Sequence, residues 1–237
     1  MQIITKSLTD NQINNWVLRH AYLMLVIVVL SLFAERIELL SLGAIISFSS
    51  LIHRGSKNFM ELKPLGGYAN WITGFRLILI VIGSFLFSVV SNHVILGIMS
   101  LVVLLDRADG YLARKYGQTS FIGHNLDVEV DSFFVLLMCY YYFHFEGVGW
   151  WIIIPGVLRY LYIVMTSAVE KPNYRAKKRK YSTIIAGIFF IVLLVGLISP
   201  IKFKAPILFI GAVLIVASFA RSFLDYLRFK NDKQTNG

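Results

Sequence analysis

Cysteine is almost missing from this 237-residue chain: Cys139 stands alone, so no intrachain disulfide framework can exist. It lies in an apolar run and reads as a small buried hydrophobe. Charge is scarce as well. Only 15% of residues are charged while 57% are hydrophobic, and the mean hydropathy is +0.69. That balance excludes an ordinary soluble domain and fits a polytopic membrane protein. Acidic charge is scarcest, at 13 Asp and Glu against 23 Lys and Arg, a net +10. The basic excess sits in short loops between apolar runs, which favours lipid headgroups and an orientation signal over nucleic acid as its partner. There is no internal repeat.

Apolar runs fall at about 21–34, 37–52, 72–90, 93–105, 132–145, 149–168, 182–199 and 205–220. Several are shorter than the roughly 20 residues a bilayer requires, so they must extend through polar flanks. The run 21–34 has the length of a signal-peptide core, but Glu35 and Arg36 follow it without a small-residue cleavage site. A retained hairpin, as two short spans or one re-entrant element, is the better reading. Lys and Arg collect at 53–57, 107–115, 171–180 and 221–233. Placing those loops in the cytoplasm puts both termini inside and gives about eight crossings. Lys202 and Lys204, on the opposite side, are discordant. Tyr140, Tyr141 and Tyr142, with Trp150 and Trp151, read as an aromatic belt.

The expected fold is therefore an all-α polytopic membrane protein. An N-terminal segment and membrane hairpin occupies 1–53, a polar interfacial linker with Pro64 and Gly66-Gly67 spans 54–70, a six-helix core follows over 71–228, and 229–237 forms a disordered tail.

The scarce acidic residues concentrate in one place. From Asp106 the chain reads D-R-A-D-G-Y-L-A-R, then eight residues, then G-H-N-L-D-V-E-V-D ending at Asp131. Carboxylates at the ends of apolar helices are costly, so they bind cations or do chemistry. Asp106 and Asp109 are three apart and Asp127 and Asp131 four apart, so each pair shares a helix face. Facing one another, the pairs make an oxygen-rich pocket for hard divalent cations such as two Mg2+ or Mn2+ ions, which would bridge a diphosphate. Gly110, Ala113 and Gly123 keep the walls small, and Arg114 offers a planar fork for phosphate. Glu129 points away from that face, and His124 reads as a polar helix-start residue.

The pattern D-x-x-D-G-x-x-A-R, eight residues, G-x-x-x-D-x-x-x-D resembles the signature of the CDP-alcohol phosphatidyltransferases, and every fixed position is met. Asn70-x-x-Thr73-x-x-Arg76 is similar to the opening of the family's first core helix. The resemblance implies a six-helix core, displacement of CMP from a CDP-linked alcohol by a second alcohol, and dimerisation. By the same resemblance Asp106, Asp109 and Asp127 would hold metals and diphosphate. Asp131 would be general base and also a metal ligand. Gly110, Ala113, Arg114 and Gly123 would line the CDP pocket.

The expected donor is CDP-diacylglycerol, in a bacterial plasma membrane with the site facing the cytoplasm. A phosphate on the acceptor would be held by Arg159, an arginine inside an apolar run that should face the core and bind an anion or an aspartate, with Arg175 and Lys178 of the basic loop. Glycerol 3-phosphate is thus the first acceptor to test, beside inositol, inositol phosphate, serine and choline. CDP-choline or CDP-ethanolamine acting on diacylglycerol is the sister reading. A cation-binding transporter is the alternative of another class. It would spread acidic residues through the membrane depth, whereas these cluster at one end.

Overall fold

The computed structural model describes residues 8–61, 67–117, 119–168 and 180–234, with side chains throughout except at 109, 113, 114, 180, 201 and 228–234. Among the described residues there is helix and no strand. The elements are α1 (Asp10–Ala34), α2 (Glu38–Arg54), α3 (Ser56–Met60), α4 (Tyr68–Leu86), α5 (Asn92–Lys115), α6 (Phe121–His144), a 3-10 turn (Trp150–Ile152) running into α7 (Ile153–Ser167), α8 (Lys180–Ile198) and α9 (Ile201–Gln234). Five helical stretches are long and apolar enough to cross a membrane: Asp10–Ala34, Tyr68–Leu86, Trp150–Ser167, Tyr181–Ile198 and Lys202–Leu227. The chain is an all-α integral membrane protein. Helices α5 and α6, at 24 residues each, carry the four aspartates of the motif, and α2 has 17.

The N-terminal hairpin begins at a capping box. Thr9 N–H donates to Gln12 Oε1 (2.9 Å), and the Gln12 N–H turns back to the Thr9 hydroxyl. It reverses at Glu35, the one non-glycine residue with positive φ (53°) among those described. Trp16 Nε1 donates to the Ser47 carbonyl (3.1 Å) and His20 Nδ1 lies 2.8 Å from Ser47 Oγ, which ties α1 to α2. The pair is also docked on the rest of the protein. Helix α1 packs against α6 and α7, Tyr140 donates to the Ser31 carbonyl (2.6 Å), and Ser41 meets Ser84 of α4 (2.6 Å).

Helix α6 is the axis of the molecule. It is packed by α4, α7, α1, α3 and α8, and Phe133, Leu136, Leu137, Met138 and Cys139 are fully buried along it. Tyr140, Tyr141 and Tyr142 are buried here as well, which corrects the belt reading. Their hydroxyls reach the Ser31 carbonyl, Asn92 Oδ1 and the Leu193 carbonyl, so the phenols are satisfied inside the bundle. Trp150 does stay exposed.

Lys204, discordant in the charge pattern, is buried and paired with Glu146. Its charge is neutralised within the fold, so it carries no orientation signal. Burial alone would raise the Glu146 carboxyl, but hydrogen bonds from Lys204, Asn92 and Tyr141 outweigh it and hold the group below the usual carboxylate range. At the C-terminus α9 continues to Gln234, so residues 229–234 are helical where a disordered tail was expected. The stretch has no proline or glycine to stop it before that point.

Candidate active site

Three helices build the acidic site. Asp106 comes from the C-terminal half of α5, and Asp127 and Asp131 lie one turn apart on α6. One carboxylate oxygen from each of Asp106, Asp127 and Asp131 falls within 4.8 Å of the others. The third helix supplies Arg76, buried at 1% side-chain exposure on α4. Its Nη2 lies 3.1 Å from Asp106 Oδ1, its Nη1 donates to Asp127 Oδ1 at 2.8 Å, and its Nη2 also reaches Asp131. The three carboxylates are 27%, 34% and 30% exposed, so they are partly open to solvent while the arginine between them is buried.

Like charges this close cannot all persist without counter-charge. Arg76 supplies one positive charge against three negative ones. The remaining negative charge and the all-oxygen donor set suit a hard divalent cation such as Mg2+ or Mn2+, and among the described residues no sulfur or imidazole ligand joins the group.

The walls follow from small residues and a cap. Ser120 caps α6 by accepting from the Gly123 N–H (3.0 Å). A Cβ on Gly123 would stand 2.6 Å from Asn70 Oδ1 and 2.9 Å from Ser120 Oγ, so the bare backbone is what lets Asn70 of α4 approach. Gly110 is half-buried on α5, four residues beyond Asp106. Thr73 donates to the Ala69 carbonyl (3.0 Å) one turn before Arg76. The side chains of Asp109, Ala113 and Arg114 lie outside the described residues.

Arg159 goes elsewhere. Its Nη2 donates at 2.8 Å to Oε1 of Glu129, a side chain with no solvent exposure. Glu129 is two residues from both Asp127 and Asp131, which places it on the opposite side of α6. It points away from the aspartates, as the spacing predicts, but into a buried ion pair with α7 and not into solvent. The carboxylate partner of Arg159 is thus Glu129 and none of the aspartates. Arg175 and Lys178 lie outside the described residues, and His124 is exposed on the first turn of α6.

The residue that motif reading under-used is Arg76. It was visible as a lone arginine within the apolar run 72–90, where an unpaired charge is expensive. Arg76, and not Arg159, is the buried cation that meets the aspartates.

A family model described as CDP-alcohol phosphatidyltransferase matches residues 67–221, from the residue that precedes α4 into α9. No curated protein and no solved structure matches the chain.

Proposed function

The chain belongs to the CDP-alcohol phosphatidyltransferase family, and from that membership we propose that it moves the phosphatidyl group of CDP-diacylglycerol onto a small polar alcohol, releasing CMP. The observation that supports a lipid donor is an apolar cavity of about 1120 Å³ between α2, α3 and α4. Phe48, Ile52, Phe59, Phe75 and Ile78 are among its walls, and Asn70 and Leu126 bring it to the edge of the aspartate site. From Asn70 to Ile82, both on its lining, α4 rises roughly 18 Å. That is close to the depth of one leaflet, about 15 Å. A lipid with its acyl chains in this cavity has its phosphates beside Asp127.

In this reading the acceptor hydroxyl gives its proton to Asp131 as its oxygen bonds to the phosphorus next to diacylglycerol. The bond from that phosphorus to the CMP oxygen breaks, and CMP leaves with the electron pair. Arg76 holds Asp127 and Asp131 in place from below and keeps the cluster from carrying its full negative charge. Gly110, Ala113, Arg114 and Gly123 line the nucleotide side. Asp106, Asp109, Asp127 and Asp131 would hold two divalent cations, Mg2+ or Mn2+, which neutralise charge on the diphosphate.

Glycerol 3-phosphate is the acceptor to test first, because Arg175 and Lys178 of the basic loop suit a phosphate. The site faces the cytoplasm of a bacterial plasma membrane, where the activated nucleotide and the acceptor are available, and the enzyme acts as a homodimer. The apolar cavity equally suits diacylglycerol as acceptor from CDP-choline or CDP-ethanolamine. The test is CMP release by purified protein with each donor in turn and a panel of labelled alcohols. Release from CDP-diacylglycerol stimulated by one polar alcohol supports the reading and identifies the product lipid. Release only from CDP-choline or CDP-ethanolamine with diacylglycerol overturns it in favour of the sister reaction.

A further inference from the structure

The hairpin α1–α2 lies outside the matched residues 67–221 and encloses a cavity of its own. It measures about 400 Å³, within the range of small-ligand pockets. Arg19 from α1 and Arg54 from α2 line it together with Gln12, Asn15 and Ser50, and among the described residues no carboxylate does. Among the described residues neither arginine has an ion-pair partner.

The inner wall is polar too. His20, 1% exposed, is fixed through Nδ1 to Ser47, and its Nε2 has no hydrogen-bond partner. Packing two lipid-facing helices does not require an orphaned buried imidazole nitrogen, which carries a desolvation cost, and the two arginines stand exposed at the rim of the same cavity. The cavity also has a defined side. Arg54 ends α2, and a Cβ on the next residue, Gly55, would stand 2.4 Å from Ile122 at the start of α6. It therefore opens at the same end of the bundle as Ser120 and Gly123.

We propose that this cavity is a second anion site, separate from the aspartate cluster, that binds the phosphate monoester of a lipid headgroup or a soluble phosphate. Two guanidinium forks from facing helices can each take two phosphate oxygens, and the amides of Gln12 and Asn15 and the Ser50 hydroxyl supply further donors. The inference stands apart from the assigned reaction, since none of these residues belongs to the family-matched core.

The test is calorimetric titration of the full chain in neutral detergent with chelator present, using dihexanoyl phosphatidate, dihexanoyl phosphatidylcholine and inorganic phosphate. Phosphatidate is expected to saturate one site per chain and phosphatidylcholine is not. Arg19→Gln with Arg54→Gln should weaken phosphatidate at least about tenfold. Both side chains are exposed, so melting temperature and CMP release should hold. Asp131→Asn should bind phosphatidate as the wild type does. Displacement of the lipid by inorganic phosphate shows that the phosphate group alone suffices; inert phosphate assigns the site to lipid. Unchanged affinity in the double arginine variant, equal binding of phosphatidylcholine, or loss in Asp131→Asn overturns the proposal.

Discussion

Arg76 Nη1 donates to Asp127 Oδ1 at 2.8 Å, joining α4 to α6 across 51 residues of sequence. The contact makes the acidic site a three-helix structure. Helices α5 and α6 present the oxygens, and α4 sets the charge beneath them.

Arg76→Gln should therefore destabilise the protein most when no cation is present. Removing one partner from a buried ionic group costs about 3–5 kcal/mol. Thermal unfolding in chelator checks this, with Mg2+ added back in a second series. The variant should melt lower than wild type in chelator and recover more of its melting temperature on adding Mg2+. Equal melting in chelator would mean that the carboxylates do not depend on Arg76.

Glu129→Gln should also cost stability, because it leaves the Arg159 guanidinium without its buried counter-charge, again about 3–5 kcal/mol. Glu129→Leu combined with Arg159→Leu should regain most of the loss, since an apolar pair replaces an ionic one at the α6–α7 contact. A double variant as unstable as the single one would contradict this account.

The Glu146–Lys204 pair makes stability acid-sensitive. The folded Glu146 carboxyl is held below its ordinary value of 4.5, so its contribution is present above that value and is lost as pH falls through the folded value. Melting temperature followed from neutral to acid pH should drop in the wild type. In Lys204→Met it should start lower at neutral pH, and the gap should narrow in acid. A constant gap would show that the ion pair contributes nothing.

Two glycines separate binding from folding. A Cβ on Gly156 would stand 3.1 Å from Leu136 Cα, backbone that cannot yield, so Gly156→Ala should push α7 off α6 and cost about 1–3 kcal/mol. A Cβ on Gly123 meets only the ends of the Asn70 and Ser120 side chains, which can swing away. Gly123→Ala should then keep its melting temperature but bind CDP-diacylglycerol more weakly. Melting curves and nucleotide binding on both variants check the contrast.

Much of the architecture was legible from residue type alone. Long apolar runs and a low share of charged residues lead to a membrane bundle, and carboxylates three and four residues apart must share a helix face. The spacing could not reveal which cation stands against which carboxylate. Arg76 and Arg159 are both arginines in apolar runs, and only packing sends one to the aspartates and the other to Glu129. The three consecutive tyrosines misled for a related reason. Aromatics near a run's end suit an interface, but partners at Ser31, Asn92 and Leu193 satisfy their hydroxyls inside. Lys204 read as an orientation signal because Glu146 lies 58 residues away in sequence.

The most direct test of the central claim, that the carboxylates between α5 and α6 carry out phosphatidyl transfer, is Asp131→Asn measured for both CMP release and CDP-diacylglycerol binding with Mg2+ or Mn2+. The account predicts release at least about 100-fold below wild type, as expected for loss of a general base, with metal-dependent binding retained. Wild-type release from the variant would contradict it.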